Sequence, residues 1–343
     1  MPVLTQVEGY GDTRRWEGRT LVVATPGDEG SEYLEAQVAA IYEPFQRLTG
    51  AVVRTVRTDI AELEQQVNEA EVLWSVCDIP AEQVLPLANS AIISEIDYTV
   101  VDSANLFEPF VTQHGVGANL YATVLGYFLG EEGVPVAPEN WADFWDLAMF
   151  PGPRGFQETP LGTLEFALLA SGVDRSDLYP LNVDVAFRQL DAIVESIVLW
   201  WRQGAQPTQM IAAGDLTMVA AWHDRIRALE ASGATVGMSW ESSQINGDSW
   251  VVPNGAPERE MAMDFVNFAT RPEVAAEFSS RFPFGPTNNE AFEILDLPEG
   301  QALPGAPDII DQQFVVDLEW WFRNREPVEE RFQEWLAEIP EDS

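Results

Sequence analysis

The apolar positions near the start of the chain switch between two spacings. Thr20-Leu21-Val22-Val23-Ala24, closed by Thr25-Pro26-Gly27, is a short continuous apolar run of the kind that forms a buried strand. Beyond Ser31, a helix-capping residue type, Leu34, Val38, Ile41, Phe45 and Leu48 recur at intervals of four and three, an amphipathic helix that ends near Gly50. Val52-Val53 resumes strand character. Residues 72–77 and 91–96 read as further strands, with a short helix over 80–87 between them, so the first 110 residues predict an α/β lobe.

A long apolar run over 117–129 is suited to leave one domain and enter another, and Pro135, Pro138 and Trp141-Ala142-Asp143-Phe144-Trp145 open a new unit. Helical periodicity returns over 164–169 and 185–197, and a second βα-like unit covers 216–231. The strand-like 249–253 and the helix-like 257–270 fit a return to the first lobe. Two apolar stripes, Phe314, Leu318, Trp321 and Phe322, then Val328, Phe332, Trp335 and Leu336, predict C-terminal helices packed on a lobe. Residues 1–18 read as a polar, extended segment.

Composition agrees with two cores, since 343 residues with 46% hydrophobic content, 12 Trp and 18 Phe exceed what one core usually serves. Charge changes the picture more. The 56 Asp and Glu face 18 cations, all of them Arg, for a net charge of -38. Such a surface repels phosphate backbones and anionic head groups, which excludes nucleic acid and membrane surfaces as partners. An acidic, lysine-free chain suits concentrated salt, so a salt-adapted protein is expected. Cys77 is alone and can form no intramolecular disulfide. No apolar stretch reaches membrane-spanning length, and the N-terminus lacks a basic segment followed by an apolar one. The expectation is a chain whose leader is absent or removed; whether a lipid anchor once preceded residue 1 stays open.

Catalytic motifs are sparse. His114 and His223 sit in no metal-binding spacing, so neither a metal nor a cofactor is expected. Lysine chemistry is impossible, no Gly-x-Ser-x-Gly elbow occurs, and Gly115-Val116-Gly117 lacks the third glycine of a dinucleotide fingerprint. Gly247-Asp248-Ser249-Trp250 is similar to the Gly-Asp-Ser start of one esterase family, but both histidines precede Ser249, against that family's order. An acidic secreted hydrolase using a carboxylate pair remains the competing class.

Five strings taken in order resemble the spermidine/putrescine-binding branch of periplasmic solute-binding proteins of ABC importers. They are Asn140 to Trp145 with Phe150-Pro151-Gly152-Pro153-Arg154-Gly155; Leu199 to Pro207; Ala221-Trp222-His223-Asp224-Arg225; Gly247 to Pro253; and Phe284-Gly285-Pro286-Thr287-Asn288. The resemblance covers about residues 20–340. It implies a type II two-lobed α/β binding protein with the ligand in the inter-lobe cleft, acting outside the cytoplasm as a monomer and delivering its ligand to a membrane permease without catalysis. Lobe 1 would be 19–124 plus 250–305, lobe 2 125–249, with 306–340 as the C-terminal helices.

The same resemblance implies that an amine meets Trp222, Asp248 and Phe284, with Asn246 where polyamine binders often place an aromatic residue. An ammonium gains about 1–3 kcal/mol from each such aromatic face or desolvated carboxylate. Where polyamine binders carry acids for the far amine, this chain aligns Pro160 and Thr163, and similar strings occur in γ-aminobutyrate-binding receptors. The expected ligand is therefore a compact ω-amino acid such as γ-aminobutyrate, with putrescine or spermidine as the alternative. For its carboxylate, Arg225 follows Trp222 by three residues, which on a helical turn would put both on one face. A surface ion pair of Arg225 with Asp224 or Glu230 is the competing role.

Overall fold

The computed structural model describes residues 4–130, 133–297 and 302–339. The chain is mixed α/β and divides into two compact units, residues 1–120 with 247–308, and residues 121–246 with 309–343.

Unit 1 grows from the strand–helix–strand start. Strand β1 (Thr20–Thr25) pairs in parallel with β2 (Val52–Arg57) and with β3 (Val76–Pro80). Ser31 Oγ accepts from Leu34 N at 3.3 Å and starts the helix Glu32–Gln37, which continues through a π-helical Val38–Tyr42 into Glu43–Thr49. The apolar stripe read from the sequence buries Ile41, Phe45 and Leu48, and Phe45 meets the rings of Phe265 and Phe268 edge-on, each at 5.3 Å. Both lie on the helix Arg259–Ala269, the returning segment. The N-terminal residues are docked, because Trp16 Nε1 and the Tyr10 hydroxyl donate to the Asp264 carboxylate at 2.6 and 3.1 Å.

Unit 2 is built on β4 (Val116–Phe128), β5 (Arg154–Gln157), β6 (Ile197–Trp201) and β7 (Met218–Trp222). There β4 is antiparallel to β7, which pairs in parallel with β5, and β5 with β6. The long β8 (Val236–Val251) runs from unit 2 into unit 1, where it is antiparallel to β3. The first residues of β4 likewise belong to unit 1. In unit 2, β9 (Gln313–Val315) pairs in parallel with Ser243–Ile245 of β8.

Three elements differ from the sequence reading. The strand expected over 72–77 is displaced to β3, because Gln66 Oε1 accepts from Leu73 N at 3.0 Å and holds that stretch as loop, with the Leu73 side chain exposed. The strand expected over 91–96 is only an isolated bridge from Ile93 to Pro253, after a turn in which Ala91 takes φ 56°. The two C-terminal stripes are not two helices: Phe314 lies in β9, and the rest forms one helix, Leu318–Glu338, which tolerates Pro327 in its interior.

Most of the five strings have structural work. Asn140 Oδ1 accepts from Ala142 N at 2.9 Å and caps the helix Trp141–Trp145. Trp141 stacks on Phe166 at 3.8 Å and donates to Ser242 O at 2.9 Å. Arg154 is fully buried with no carboxylate bonded to it among the described residues; its guanidinium donates to the carbonyls of Phe144, Gly152 and Phe150. Burial pulls its pKa down to about 10. Leu120 and Gly285 exchange backbone hydrogen bonds at 2.8 and 2.7 Å, and Thr287 Oγ1 donates to Gly117 O at 2.9 Å.

Candidate functional site

Unit 1 contains an unusual polar cluster under the end of β8. Asp78 interrupts the buried strand β3, two residues before Pro80, which pairs with Asp248. Side chains alternate along a strand, so Asp78 and Asp248 share one face of the β3–β8 pair while Cys77 points to the other. Cys77 is buried there, and burial pushes its thiol pKa up.

The two carboxylates are joined by neutral groups. Asn119 Nδ2 donates to Asp248 Oδ2 at 3.1 Å and to the Tyr33 hydroxyl at 3.0 Å. Tyr33 donates to Asp78 Oδ2 at 2.7 Å, and Gln37 Nε2 donates to the same oxygen at 2.8 Å. Gln37 Oε1 is held in turn by the hydroxyls of Thr25 and Tyr42 at 2.6 and 2.8 Å. Asp78 Oδ1 and Asn119 Oδ1 are buried acceptors with no hydrogen-bond partner among the described residues. Such an orphan costs about 1–3 kcal/mol, so both ask for a donor.

Gly247 makes this cluster possible. A Cβ there would collide with the Phe110 ring and the Asn119 carbonyl, and any larger residue would push Asn119 away from Asp248. Burial raises the carboxyl pKa of Asp248 to about 6, the charge of Glu82 adding to it and the bonds from Asn119 and Tyr33 opposing it. Asp78 is raised well above its ordinary value, first by burial and then by the charge of Asp248. Aromatic rings stand beside the cluster: Phe284 lies 5.9 Å from Tyr33 and 4.7 Å from Phe282.

Asp248 and Phe284 are thus brought to one neighbourhood around Tyr33. Asp78, Tyr33, Gln37 and Asn119 were not anticipated. The available signal was a charged residue inside an apolar strand, hidden because the strand was placed four residues too early.

The remaining expected residues lie in unit 2. Trp222 is half-buried, edge-on to Trp201 at 5.4 Å and to Tyr121 at 6.0 Å. It ends β7 with extended φ/ψ before the helix His223–Ala231, so the helical phase assumed between Trp222 and Arg225 does not apply. Arg225 is exposed and its Nε lies 3.4 Å from Asp224 Oδ2, while the buried Asp224 Oδ1 has no hydrogen-bond partner among the described residues. Asn246 accepts from Gln244 Nε2 at 2.5 Å and donates to Thr123 Oγ1 at 3.0 Å, so its amide is engaged at both ends. Thr163 is buried, with its hydroxyl 3.5 Å from Gln157 O.

The start of the helix Pro160–Ala170 binds its own acids. Gly162 takes φ 86°, a left-handed conformation in which a Cβ would also strike Gln244 Oε1, and its N–H donates to Glu165 Oε2 at 2.8 Å. Glu165 also accepts from Tyr179 and Trp321 at 2.5 and 2.7 Å, and Glu158 is paired with Arg202 through its Nε at 2.7 Å. Both carboxylates are therefore already partnered. A cavity of about 650 Å³ beside Trp141 is lined by Asp174, Arg175 and Glu241, but Arg175 is committed to Glu241 at 2.7 Å and to Gln312 O at 3.0 Å. No group of three or more potential metal ligands occurs among the described residues, and no helix there is long and apolar enough to cross a membrane.

Comparison with known proteins gives a consistent answer. Residues 40–307 match the bacterial extracellular solute-binding protein family. The gamma-aminobutyric acid-binding protein of Pseudomonas aeruginosa is 33% identical over 310 residues, 88% of this chain and 87% of that protein. A solved GABA receptor superposes with a TM-score of 0.84 at 33% identity, covering 93% of this chain and 98% of the other. The spermidine/putrescine-binding periplasmic protein of Escherichia coli is 23% identical over 180 residues, about half of each chain.

Proposed function

Since the chain belongs to the bacterial extracellular solute-binding protein family, we propose that it captures a small solute bearing a primary ammonium, most specifically γ-aminobutyrate, and passes it as a monomer to an ABC permease without chemical turnover. The observation that carries this reading is the cluster in unit 1: the carboxylate of Asp248, acceptors on Asp78 and Asn119 left without a hydrogen-bond partner among the described residues, the Tyr33 and Phe284 rings, and no cation bonded to the two carboxylates among those residues. An ammonium supplies the missing N–H donors and the missing positive charge together.

In this reading Asp248 takes the ammonium against Phe284, and Trp222 provides an apolar wall in unit 2. Arg225 leaves Asp224 to take the carboxylate, while Asn246 and Thr163 shape the polar lining. The partnered state of Glu158 and Glu165 supports an amino acid over a diamine, because a second ammonium would find no free carboxylate at that helix start. The likeness to the P. aeruginosa protein and the GABA receptor points the same way.

Calorimetry with γ-aminobutyrate and putrescine on wild type, Asp248→Ala and Arg225→Ala tests it. The expected result is γ-aminobutyrate binding lost in both variants. Tight putrescine binding retained in Arg225→Ala would transfer the assignment to a polyamine. Turnover of glycoside or ester substrates at acid pH would remove the receptor reading altogether.

A further inference from the structure

We propose that Asp78 and Asp248 share one proton in the unliganded protein and that the ligand's ammonium enters in exchange for it, making Asp78 a positioning residue for amine capture. This rests on the ammonium reading above and extends it to the protonation of the carboxylate pair.

The two carboxylates lie on one face of the β3–β8 pair and are linked in sequence by Asn119 and the Tyr33 hydroxyl. Among the described residues of unit 1, the groups these interactions bring against them are neutral or negative. Tyr33 comes from the helix Glu32–Gln37, Tyr42 from the π-helical segment, and Glu82 from the turn Ala81–Gln83; Thr25, Gln37 and Asn119 add neutral dipoles, and Cys77 of β3 lies on the opposite face. Two full negative charges buried among such groups are far costlier than one, so the pair keeps a proton while it is empty. Burial is the first cause that raises both carboxyl pKa values, with the charge of Asp248 adding to it at Asp78 and that of Glu82 at Asp248.

Binding then reads as an exchange. The ammonium nitrogen donates its N–H groups at Asp248 and keeps its own protons; the proton held by the pair leaves to solvent, and the net charge of carboxylates plus ammonium equals that of the protonated pair it replaces. Acid supplies the competing proton, so affinity falls as pH falls. In the window where the unliganded pair holds the extra proton and the liganded pair does not, affinity changes up to about tenfold per pH unit.

Two measurements decide it. Isothermal calorimetry with γ-aminobutyrate and putrescine, in buffers of different ionisation enthalpy near pH 7, should show net proton release, and affinity should climb as pH rises. In Asp78→Asn the release should vanish and the pH profile flatten, whatever the change in affinity; an affinity loss equal at every pH, with the release unchanged, would mean a merely structural Asp78 and overturn the proposal. Infrared difference spectra of unliganded wild type against Asp78→Asn and Asp248→Asn need no ligand. A protonated-carboxyl band at neutral pH that both variants lose is expected, and its absence from wild type overturns the proposal. Failure of both amines to bind with that band present would instead refute the ammonium reading alone.

Discussion

Asn119 Nδ2 bridges Asp248 Oδ2 and the Tyr33 hydroxyl at 3.1 and 3.0 Å, so one amide orients both the carboxylate assigned to the ligand and the ring beside it. Asn119→Ala removes both bonds and leaves Asp248 free to turn. Amine affinity should fall about tenfold, the equivalent of roughly 1.4 kcal/mol, in line with one hydrogen bond to a charged group. Calorimetry checks this, and unchanged affinity would remove Asn119 from the site.

Asp78 should cost stability at neutral pH. Its carboxyl pKa is raised on folding, so the native chain binds more protons than the unfolded one once pH exceeds the unfolded value near 4. Stability is therefore lost as pH rises from about 4 toward the raised native value. Asp78→Asn lacks that loss. Its thermal midpoint relative to wild type should climb with pH across this window, and a constant difference would contradict the assignment.

Arg154 should matter for folding and not for ligand. It donates to three backbone carbonyls from a fully buried position. Arg154→Met would leave those carbonyls unsatisfied at a loss of roughly 3 kcal/mol or more. The thermal midpoint should drop by several degrees while the folded fraction binds as wild type does.

Salt should stabilise the chain. Eighteen arginines can neutralise at most 18 of 56 carboxylates, and pairs such as Arg323–Glu319 are exposed, each contributing about 0–1 kcal/mol. Screening relieves the remaining repulsion. The thermal midpoint should rise between dilute and molar sodium chloride; a flat or falling trend would argue against salt adaptation.

Much of the fold was legible because hydrophobic period reports burial directly. Leu34, Val38, Ile41, Phe45 and Leu48 gave the first helix, and the apolar run over 117–129 gave β4. The failures lay where local signals competed. Leu73 and Trp74 carry strand-like side chains, but the Gln66 amide fixes that backbone as loop, and this shifted β3 away from Asp78. Asp248 and Phe284 are proposed for the site through resemblance. Their supporting groups are not, because Tyr33, Gln37 and Asn119 look like ordinary members of a helix and a strand until long-range pairing brings them to Asp78. Arg225 was chosen on a helical phase that starts one residue after Trp222.

The buried Cys77 sits on the same strand as Asp78, facing the opposite way, in a chain with no other thiol. A maleimide reagent can reach it only when β3 opens, so its labelling rate clocks the transient unravelling of the floor beneath the carboxylates. Bound solute should slow that clock in proportion to occupancy. The native sequence thus already contains a reporter for solute capture, and a single cysteine added on the surface would still be labelled selectively while β3 stays closed.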